Sequence, residues 1–291
     1  MGVQRVTSNV YMIKLNPPSE FPHLPSINVY LINDEKKMII DAGYDIVTED
    51  LIRILKELGI DIDYIAITHI HLDHAGGVNL LLRNFPNAKV IVHERGLPHL
   101  LNPSKLWESV LSVLGESAKG YSKPTPIPID SIIVGKEGSV FNLGDAKVRV
   151  LEAPGHSPHH LCFFDGSCIF LGDVAGIYED GIVIPSTPPP NFDYSKSIQT
   201  IDRIINLNPK ILCYAHYDFS NDPKNLILYK ERLKLWLKVI AKNLNDDNER
   251  LIDKILEVDK KIESIVNKRR FEINLFIQGI VHYLRRLRNL K

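Results

Sequence analysis

Residues 68–77 read THIHLDHAGG, so three histidines and one aspartate fall within six consecutive positions. Side chains of these two types lose free energy when they are buried without partners, so a protein core gains nothing by collecting them. The run DYIAIT before the cluster predicts a strand, and AGGVNLLLRNF after it predicts an amphipathic helix. In extended chain His69 and His71 point to the same side, and Asp73 and His74 follow at the helix start. This arrangement predicts a site for a divalent cation.

Three more candidate ligands follow apolar runs further along the chain. They are His156 in LEAPGHSPHH, Asp173 in CIFLGD and His216 in ILCYAH. Each run predicts a buried strand, and the residue after it would lie at the edge of a sheet, where several strands converge. We therefore predict that these residues complete the coordination that the first cluster begins.

From residue 1 to about 220, short β-branched runs alternate with segments of helical period, which predicts an α/β layout. The candidate strands are Asn28–Ile32, Lys37–Asp41, Tyr64–Thr68, Lys89–His93, Lys147–Glu152, Leu161–Phe164, Ser167–Leu171 and Ile211–Tyr214. The candidate helices are Thr48–Leu58, His74–Asn84 and Ser195–Leu207, followed after Asp222 by Lys224–Asn243, Asp246–Val266 and Phe271–Leu290. We therefore expect a catalytic domain in residues 1–220 and a C-terminal helical extension in residues 221–291.

Residues 95–135 interrupt the alternation. One helix is predicted at about Ser104–Leu114, and the proline-rich stretch after it stops regular structure. A connection of this length is either a surface excursion or a lid beside a cleft, and both hypotheses remain open.

The order of these motifs resembles that of the metallo-β-lactamase superfamily, in which H-x-H-x-D-H is followed by His, Asp and His. The resemblance extends from about Val6 to Asp218 and implies a four-layer αββα sandwich with a C-terminal helical extension. It also implies two divalent metal ions. The first would be held by His69, His71 and His156, and the second by Asp73, His74 and His216, with Asp173 bridging them. Asp41, which closes KKMIIDAG, matches a family position that supports the ligands by hydrogen bonding.

Zinc is the expected metal, with iron or manganese as alternatives, because imidazole and carboxylate ligands suit all three. A cation lowers the pKa of bound water from about 15.7 towards 7, so a hydroxide that bridges two ions would be available at neutral pH. Asp73 would also shuttle a proton. We therefore expect a metal-dependent hydrolase.

Among the branches of the superfamily, the chain is similar to glyoxalase II, which adds a helical C-terminal domain with basic residues that bind an acidic thiol. A carboxylic thioester, ester or lactone is thus the expected substrate. The candidates for anion contact are Lys268, Arg269 and Arg270, or Arg285, Arg286 and Arg288. The glutathione-binding residues of that branch do not map onto these positions, and AHYDF replaces its glycine-rich turn after the last ligand. Both departures disfavour glutathione as the thiol.

Two other functions remain open. Residues 221–291 hold 17 Lys and Arg against 10 Asp and Glu, so a phosphodiesterase or nuclease could bind nucleic acid through this tail. The basic residues are mostly interleaved with acidic ones, which is typical of a solvated helix face and disfavours a nucleic-acid partner. The third function is an iron-dependent redox enzyme or dioxygenase, since some members of the resembled superfamily hold iron.

Composition adds few constraints. The hydrophobic fraction of 44% and the charged fraction of 24% are ordinary for globular proteins. The N-terminal residues lack a secretory signal, and no apolar run approaches the roughly 18 residues of a spanning helix, so we expect a cytoplasmic protein without membrane contact. The abundance of Ile, Lys and Glu hints at a thermophile. The broad apolar stripe of the last helix predicts burial against the body or in a homodimer.

Overall fold

The computed structural model describes residues 2–289, and two large β-sheets form its centre. The strands are β1 Gly2–Arg5, β2 Val10–Leu15, β3 Ile27–Asn33, β4 Lys37–Ile40, β5 Tyr64–Ala66, β6 Lys89–His93, β7 Ile132–Gly135, β8 Val140–Asn142, β9 Lys147–Glu152, β10 Leu161–Phe164, β11 Cys168–Gly172, β12 Ile177–Glu179, β13 Ile182–Ile184, β14 Ile211–Tyr214 and β15 Phe219–Ser220. The helices are α1 Asp45–Glu57, α2 Leu72–Ala75, α3 Val78–Asn84, α4 Leu97–Leu101, α5 Ser104–Leu114, α6 Tyr194–Asn206, α7 Lys224–Lys242, α8 Asn248–Val258, α9 Glu263–Lys268 and α10 Arg270–Asn289.

The two sheets have different topologies. The first runs in chain order from β1 to β7, antiparallel as far as β4 and parallel from there on. The second has the order β15-β14-β11-β10-β9-β8, in which only β11 and β14 are parallel. Strands β12 and β13 form a separate hairpin.

The alternation of side chains along the strands divides the core into layers. In β3, Tyr30 and Ile32 pack among residues of the second sheet, whereas Val29 and Leu31 pack with the outer helix α1. On the second sheet, Phe163 faces inward and Phe164 faces the helices of the other outer layer. Successive residues of a strand point to opposite faces, so each sheet buries both of its faces. The expected four-layer αββα sandwich is confirmed.

The C-terminal helices belong to the outer layer of the second sheet. Trp236 of α7 and Ile280 of α10 are fully buried in one hydrophobic cluster with Leu212 and Tyr214 of β14. Because this cluster is continuous, we propose that residues 221–291 are a helical extension that is stable only when packed on the body. No helix within residues 2–289 has both the length and the apolar composition required to cross a bilayer.

The predicted helix His74–Asn84 is wrong as one element, because α2 ends before Gly76 and α3 begins after Gly77. A Cβ atom at Gly77 would lie 1.9 Å from Oγ1 of Thr48, so only glycine allows α1 to pack this closely. The Gly77 amide donates to the carbonyl of Gly43 and not along the helix. The break lets α2 turn its polar residues inward independently of α3.

Two C-terminal boundaries also differ from the expectation. The predicted helix Asp246–Val266 is interrupted at Asp259, whose carboxylate accepts hydrogen bonds from Arg232 of α7 at 2.5 and 3.2 Å. A 3-10 turn, Lys260–Ile262, leads from there into α9. The predicted end of the last helix, Leu290, lies outside the described residues. Strands β1, β2, β7, β8, β12, β13 and β15 were not among the candidates.

Substitution of Trp236 tests whether the extension and the body form one folding unit. We expect Trp236→Ala to lower the free energy of unfolding by about 3–5 kcal/mol, because it leaves a large cavity in the shared cluster. The transition, followed by circular dichroism and by calorimetry, should remain single. Trp107→Ala is the matched control, since the other tryptophan of the chain is only partly buried, and it should lower that free energy by roughly 1 kcal/mol. Two separate transitions in either variant would contradict one unit.

Candidate metal centre

The H-x-H-x-D-H cluster lies where the first sheet ends and α2 begins. Strand β5 ends at Ala66, and His69 follows it after two more buried residues. His71 is the N-cap residue of α2, and Asp73 and His74 belong to the helix itself. Because α2 has only four residues, its side chains stay close to the strand end.

One group of three imidazoles forms the first half of the site. Nε2 of His69 lies 2.9 Å from Nδ1 of His71, and Nε2 of His156 lies 3.1 Å from the same atom. All three ligand atoms are within 4.8 Å of one another. Three ring nitrogens that face one point suit a cation such as zinc, which binds histidine nitrogen at about 2.0–2.1 Å.

The second half of the site combines Asp73, His74 and His216. Oδ2 of Asp73 lies 3.6 Å from Nε2 of His74 and 3.6 Å from Nε2 of His216. Asp173 lies between the two halves: its Oδ1 is 3.4 Å from Nε2 of His74 and 3.2 Å from Nε2 of His216. Its Oδ2 is 3.7 Å from Nε2 of His156. The structure therefore brings together all seven residues that the sequence proposed as ligands.

The backbone of distant segments orients two of the imidazoles. Nδ1 of His156 donates to the carbonyl of Ser186 at 3.1 Å, and Nδ1 of His216 donates to the carbonyl of Ser26 at 2.8 Å. In each ring this bond engages Nδ1 and leaves Nε2 facing the site. Such hydrogen bonds to metal-binding histidines fix both the tautomer and the ring orientation.

Asp41 orients the third imidazole. Its Oδ2 accepts from Nδ1 of His74 at 2.8 Å, while its Oδ1 accepts from the amide and the hydroxyl of Thr68 at 2.8 and 2.9 Å. The residue has a φ of 66°, a left-handed conformation that is uncommon outside glycine. The position expected to support the ligands by hydrogen bonding thus contacts His74 directly.

The electrostatics of the site separate neutral from charged groups. Burial, together with neighbouring imidazoles, lowers the pKa of His69 far below its ordinary value and that of His71 to about 3. Burial also lowers the pKa of His74, but the carboxylates of Asp73, Asp41 and Asp173 outweigh it and raise that pKa. Burial raises the pKa of Asp173, but His216, His74 and His156 outweigh it and hold the carboxyl ionised.

Two buried atoms test whether these residues fit a metal. Nε2 of His74 and Oδ1 of Asp173 have no hydrogen-bond partner among the described residues, although both are inaccessible to solvent. An unpartnered buried polar atom costs about 1–3 kcal/mol, so each needs a ligand. Imidazole nitrogens and an ionised carboxylate are the donors that a divalent cation binds, and such a cation would replace the proton that the neighbouring carboxylates favour on His74. The donor set therefore fits the expected metal.

An open cavity of about 400 Å³ lies over the site. Its floor includes His71, Asp73, His156, Asp173 and His216. Residues between Arg95 and Tyr121 cover it from one side and the start of α10 closes the other. The excursion that the sequence left open as surface loop or lid is therefore a lid over this cavity, and α5 is its main element.

Sequence reasoning missed several groups at the site. Ser26 and Ser186 act through backbone carbonyls, for which residue type gives no signal. The hydroxyl of Ser186 was also missed; its Oγ donates to Asp173 Oδ2 at 3.1 Å. His160 was not missed, because its position soon after His156 indicates a supporting or a surface residue; it is buried, and its Nε2 accepts from the Asp173 amide at 3.2 Å. Among the basic residues, Arg95 and Lys105 line the cavity. A lid placed over the motif could have pointed to the last two.

The basic residues proposed for anion contact do not face the cavity. Lys268 pairs with Asp180, Arg269 pairs with Glu179 at 2.8 and 2.9 Å, and Arg270 pairs with Glu249. None of the six candidates lines the cavity; the residues of α10 that do so are Phe271, Glu272, Leu275 and Phe276. The six candidates for anion contact therefore lie away from this cavity.

The chain is also similar to known proteins. The family model described as "Metallo-beta-lactamase superfamily" matches residues 24–216. Among named relatives, the metallo-beta-lactamase fold-containing protein ST1585 of Sulfurisphaera tokodaii is 32% identical over 250 residues, which are 84% of this chain and 90% of that protein. A hydroxyacylglutathione hydrolase of Prochlorococcus marinus is 24% identical over 255 residues, 84% of this chain and 83% of that protein. An atrochrysone carboxyl ACP thioesterase of Aspergillus chevalieri is 28% identical over 176 residues, 59% of this chain and 47% of that protein.

Two solved structures extend the comparison. The crystal structure of ST1585 from Sulfolobus tokodaii has a TM-score of 0.69 and 27% identity, and the match covers 94% of this chain and 98% of that one. A structure of TTHA1623 in a di-iron-bound form has a TM-score of 0.55 and 26% identity, and the match covers 72% of this chain and 93% of that one.

A substitution at Asp41 tests the support that it gives to the site. We expect Asp41→Asn to weaken metal binding about 10–100-fold, because the amide is a poorer acceptor for Nδ1 of His74 and an uncharged neighbour to it. Competition with a chromophoric chelator measures the affinity. Asp165→Asn is the matched control, since Asp165 also accepts backbone amides, those of Ser167 and Cys168, away from the site. Equal metal affinity in both variants would contradict the role of Asp41.

Proposed function

The chain belongs to the metallo-β-lactamase superfamily and is a metal-dependent hydrolase, and we propose that it cleaves a small carboxylic thioester, ester or lactone at a dinuclear centre. The observation that carries this proposal is the Asp173 carboxylate, which lies between two separate groups of donors. A single ion would need only one of these groups. Two ions would use both groups, and Asp173 would be shared by them.

The first ion would be held by His69, His71 and His156. The second would be held by Asp73, His74 and His216, with Asp173 shared. When bound, the two ions supply a hydroxide at neutral pH and polarise the oxygen that is attacked. Zinc remains our expected metal; iron is the alternative with support from a relative, the di-iron form of TTHA1623.

The protein's own groups supply orientation and proton transfer. In a thioester the bond between the acyl carbon and sulfur breaks, hydroxyl is added to the carbon, and the sulfur leaves as thiolate. The Asp73 carboxylate faces the cavity beside His74 and His216, so it can accept the proton from water and deliver it to that thiolate. The lid helix α5 lies along one side of the cavity in which this exchange would take place.

Two features favour an acyl substrate over nucleic acid. The relatives include proteins named hydroxyacylglutathione hydrolase and ACP thioesterase. In addition, Lys268, Arg269 and Arg270 are paired with carboxylates, so they are poorly suited to bind phosphates. The phosphodiesterase remains the alternative to be tested.

A hydrolysis panel tests the proposed activity. We expect metal-reconstituted protein to cleave N-acetylcysteamine thioesters, p-nitrophenyl esters or lactones, and bis-p-nitrophenyl phosphate much more slowly. Removal of metal by a chelator should reduce the rate at least about 100-fold, and zinc, iron or manganese should restore it. His69→Ala should be inactive, whereas His282→Ala, the matched control on an exposed part of α10, should retain full activity. Turnover of the phosphodiester alone, with salt-sensitive binding of RNA or DNA, would overturn the proposal.

Substitution of Asp73 tests its part in proton transfer. Asp73→Asn should reduce kcat about 10²–10⁴-fold, because the amide cannot accept a proton. Metal content measured by mass spectrometry distinguishes this loss from the loss of an ion. A thioester with a more acidic thiol needs less protonation and should regain part of the rate. An equal reduction for all leaving groups, with metal content unchanged, would contradict proton delivery by Asp73.

A further inference from the structure

The lid helix α5 is apolar but little of it is buried. Its apolar side chains are Leu106, Trp107, Val110, Leu111, Val113 and Leu114. Of these only Leu106 is buried, whereas an amphipathic helix that packs on a core buries its whole apolar stripe. Val110, Val113 and Leu114 instead line the cavity over the metal centre. One wall of the cavity therefore consists of aliphatic side chains, of which Val110 packs partly on the core and Val113 stays 36% exposed.

The opposite wall comes from the first turns of α10 and is also apolar. Phe271, Leu275 and Phe276 face the cavity, and Phe271 keeps 41% of its surface exposed. The polar member of this wall is Glu272, whose carboxylate accepts the hydroxyl of Tyr217. That hydrogen bond occupies one oxygen of Glu272. Because the other three residues of this wall are apolar, the wall presents mainly hydrocarbon to the cavity.

His23 contacts both walls of the cavity. Nε2 of His23 lies 3.1 Å from the carbonyl oxygens of both Ser117 and Lys119, which lie in and just after the short 3-10 segment that follows α5. The same ring lies edge-on to Phe271, with centroids 6.4 Å apart. His23 therefore contacts both sides of the space between α5 and α10, and the same cavity is also lined by Asp73 and His216.

The two basic side chains of the lid that line the cavity lie outside its apolar walls. Arg95 and Lys105 line the cavity, are exposed, and form no ion pair within residues 2–289. Unpaired cations at an exposed rim suit an anionic or polar part of a ligand that reaches solvent, whereas aliphatic walls suit a part that is removed from water. The cavity is thus polar at its metal floor and its rim and apolar between α5 and α10.

We propose that the acyl group of the substrate is an apolar chain of medium length that lies between α5 and the first turns of α10. This inference rests on the proposed function, because it names the substrate class of the same site. The carbonyl carbon lies at the floor, the hydrocarbon follows the apolar walls, and the thiol or alcohol portion points to the rim with Arg95 and Lys105. A short hydroxyacyl group would leave these walls in contact with water.

A chain-length series measures the apolar contact. The probes are acetyl, butanoyl, hexanoyl and octanoyl thioesters of N-acetylcysteamine, with metal-reconstituted full-length protein. We expect kcat/KM to rise about fourfold for each methylene that enters the walls, and at least about tenfold from acetyl to octanoyl. Values that stay level or fall with chain length would overturn the inference.

Binding of the product acids separates this inference from the proposed function. Titration calorimetry of octanoate and acetate with the same protein should give an affinity at least about tenfold higher for octanoate. If no thioester, ester or lactone is cleaved but octanoate is still preferred, the proposed function fails and the apolar site stands. If acyl substrates are cleaved but the two acids bind equally, the activity stands and the apolar site is refuted.

A matched pair of variants on α5 locates the contact. Leu114 lines the cavity, while Leu111 is 44% exposed and does not line it. Leu114→Asn should lower kcat/KM for the octanoyl thioester about tenfold and for the acetyl thioester much less, because only the longer chain reaches that wall. Leu111→Asn should change neither, and circular dichroism should be the same for both variants. Equal effects of the two substitutions, or equal effects on both substrates, would refute the location.

Discussion

The buried carboxylate of Asp173 lies among three imidazoles. Its Oδ1 is 3.2 Å from Nε2 of His216 and 3.4 Å from Nε2 of His74, and its Oδ2 is 3.7 Å from Nε2 of His156. An ionised carboxylate without such neighbours would be too costly to bury. The surrounding imidazoles hold it ionised, and it in turn raises the pKa of His216 against the effect of burial. The remaining site geometry follows from this mutual dependence. It also explains why a chain that gives up core volume to polar groups still folds: each group is another group's partner or a metal ligand.

The sandwich makes this arrangement attainable, because the groups come from ends of strands in both sheets. The first sheet delivers Asp41 and His69 after β4 and β5, and the second delivers Asp173 and His216 after β11 and β14. Parallel pairing of β4 with β5 and of β11 with β14 puts those ends on the same edge. At Gly172 a left-handed backbone and a register shift turn the chain so that Asp173 enters the site. A side chain there would collide with His160, at 2.7 Å.

Much of the fold and of the site was predictable from the sequence, for reasons that are local. Buried strands such as Lys89–His93 and Ile211–Tyr214 are continuous apolar runs, and polar residues at their ends stand out. Strand β1 was not predictable in this way, because all four of its residues are exposed and only pairing with β2 defines it. The hydrogen bond that the backbone carbonyl of Ser26 accepts from His216 was equally unpredictable from the sequence. The pairing of Arg269 with Glu179 and of Arg270 with Glu249 was not predictable, because the sequence shows the basic residues but not which carboxylates lie beside them in the fold.

The bond from His216 to the carbonyl of Ser26 joins residues 190 positions apart, and Asn28 and Tyr30 add bonds to the carbonyl of Tyr214 at 3.2 and 2.7 Å. Contacts of such sequence separation require the entropy of a very large loop to be overcome before they form. On a ribosome the H-x-H-x-D-H motif therefore emerges long before the segment that completes its surroundings. Until β14 and the residue pair after it have been synthesised, His216 is missing, so the second group of candidate ligands is incomplete.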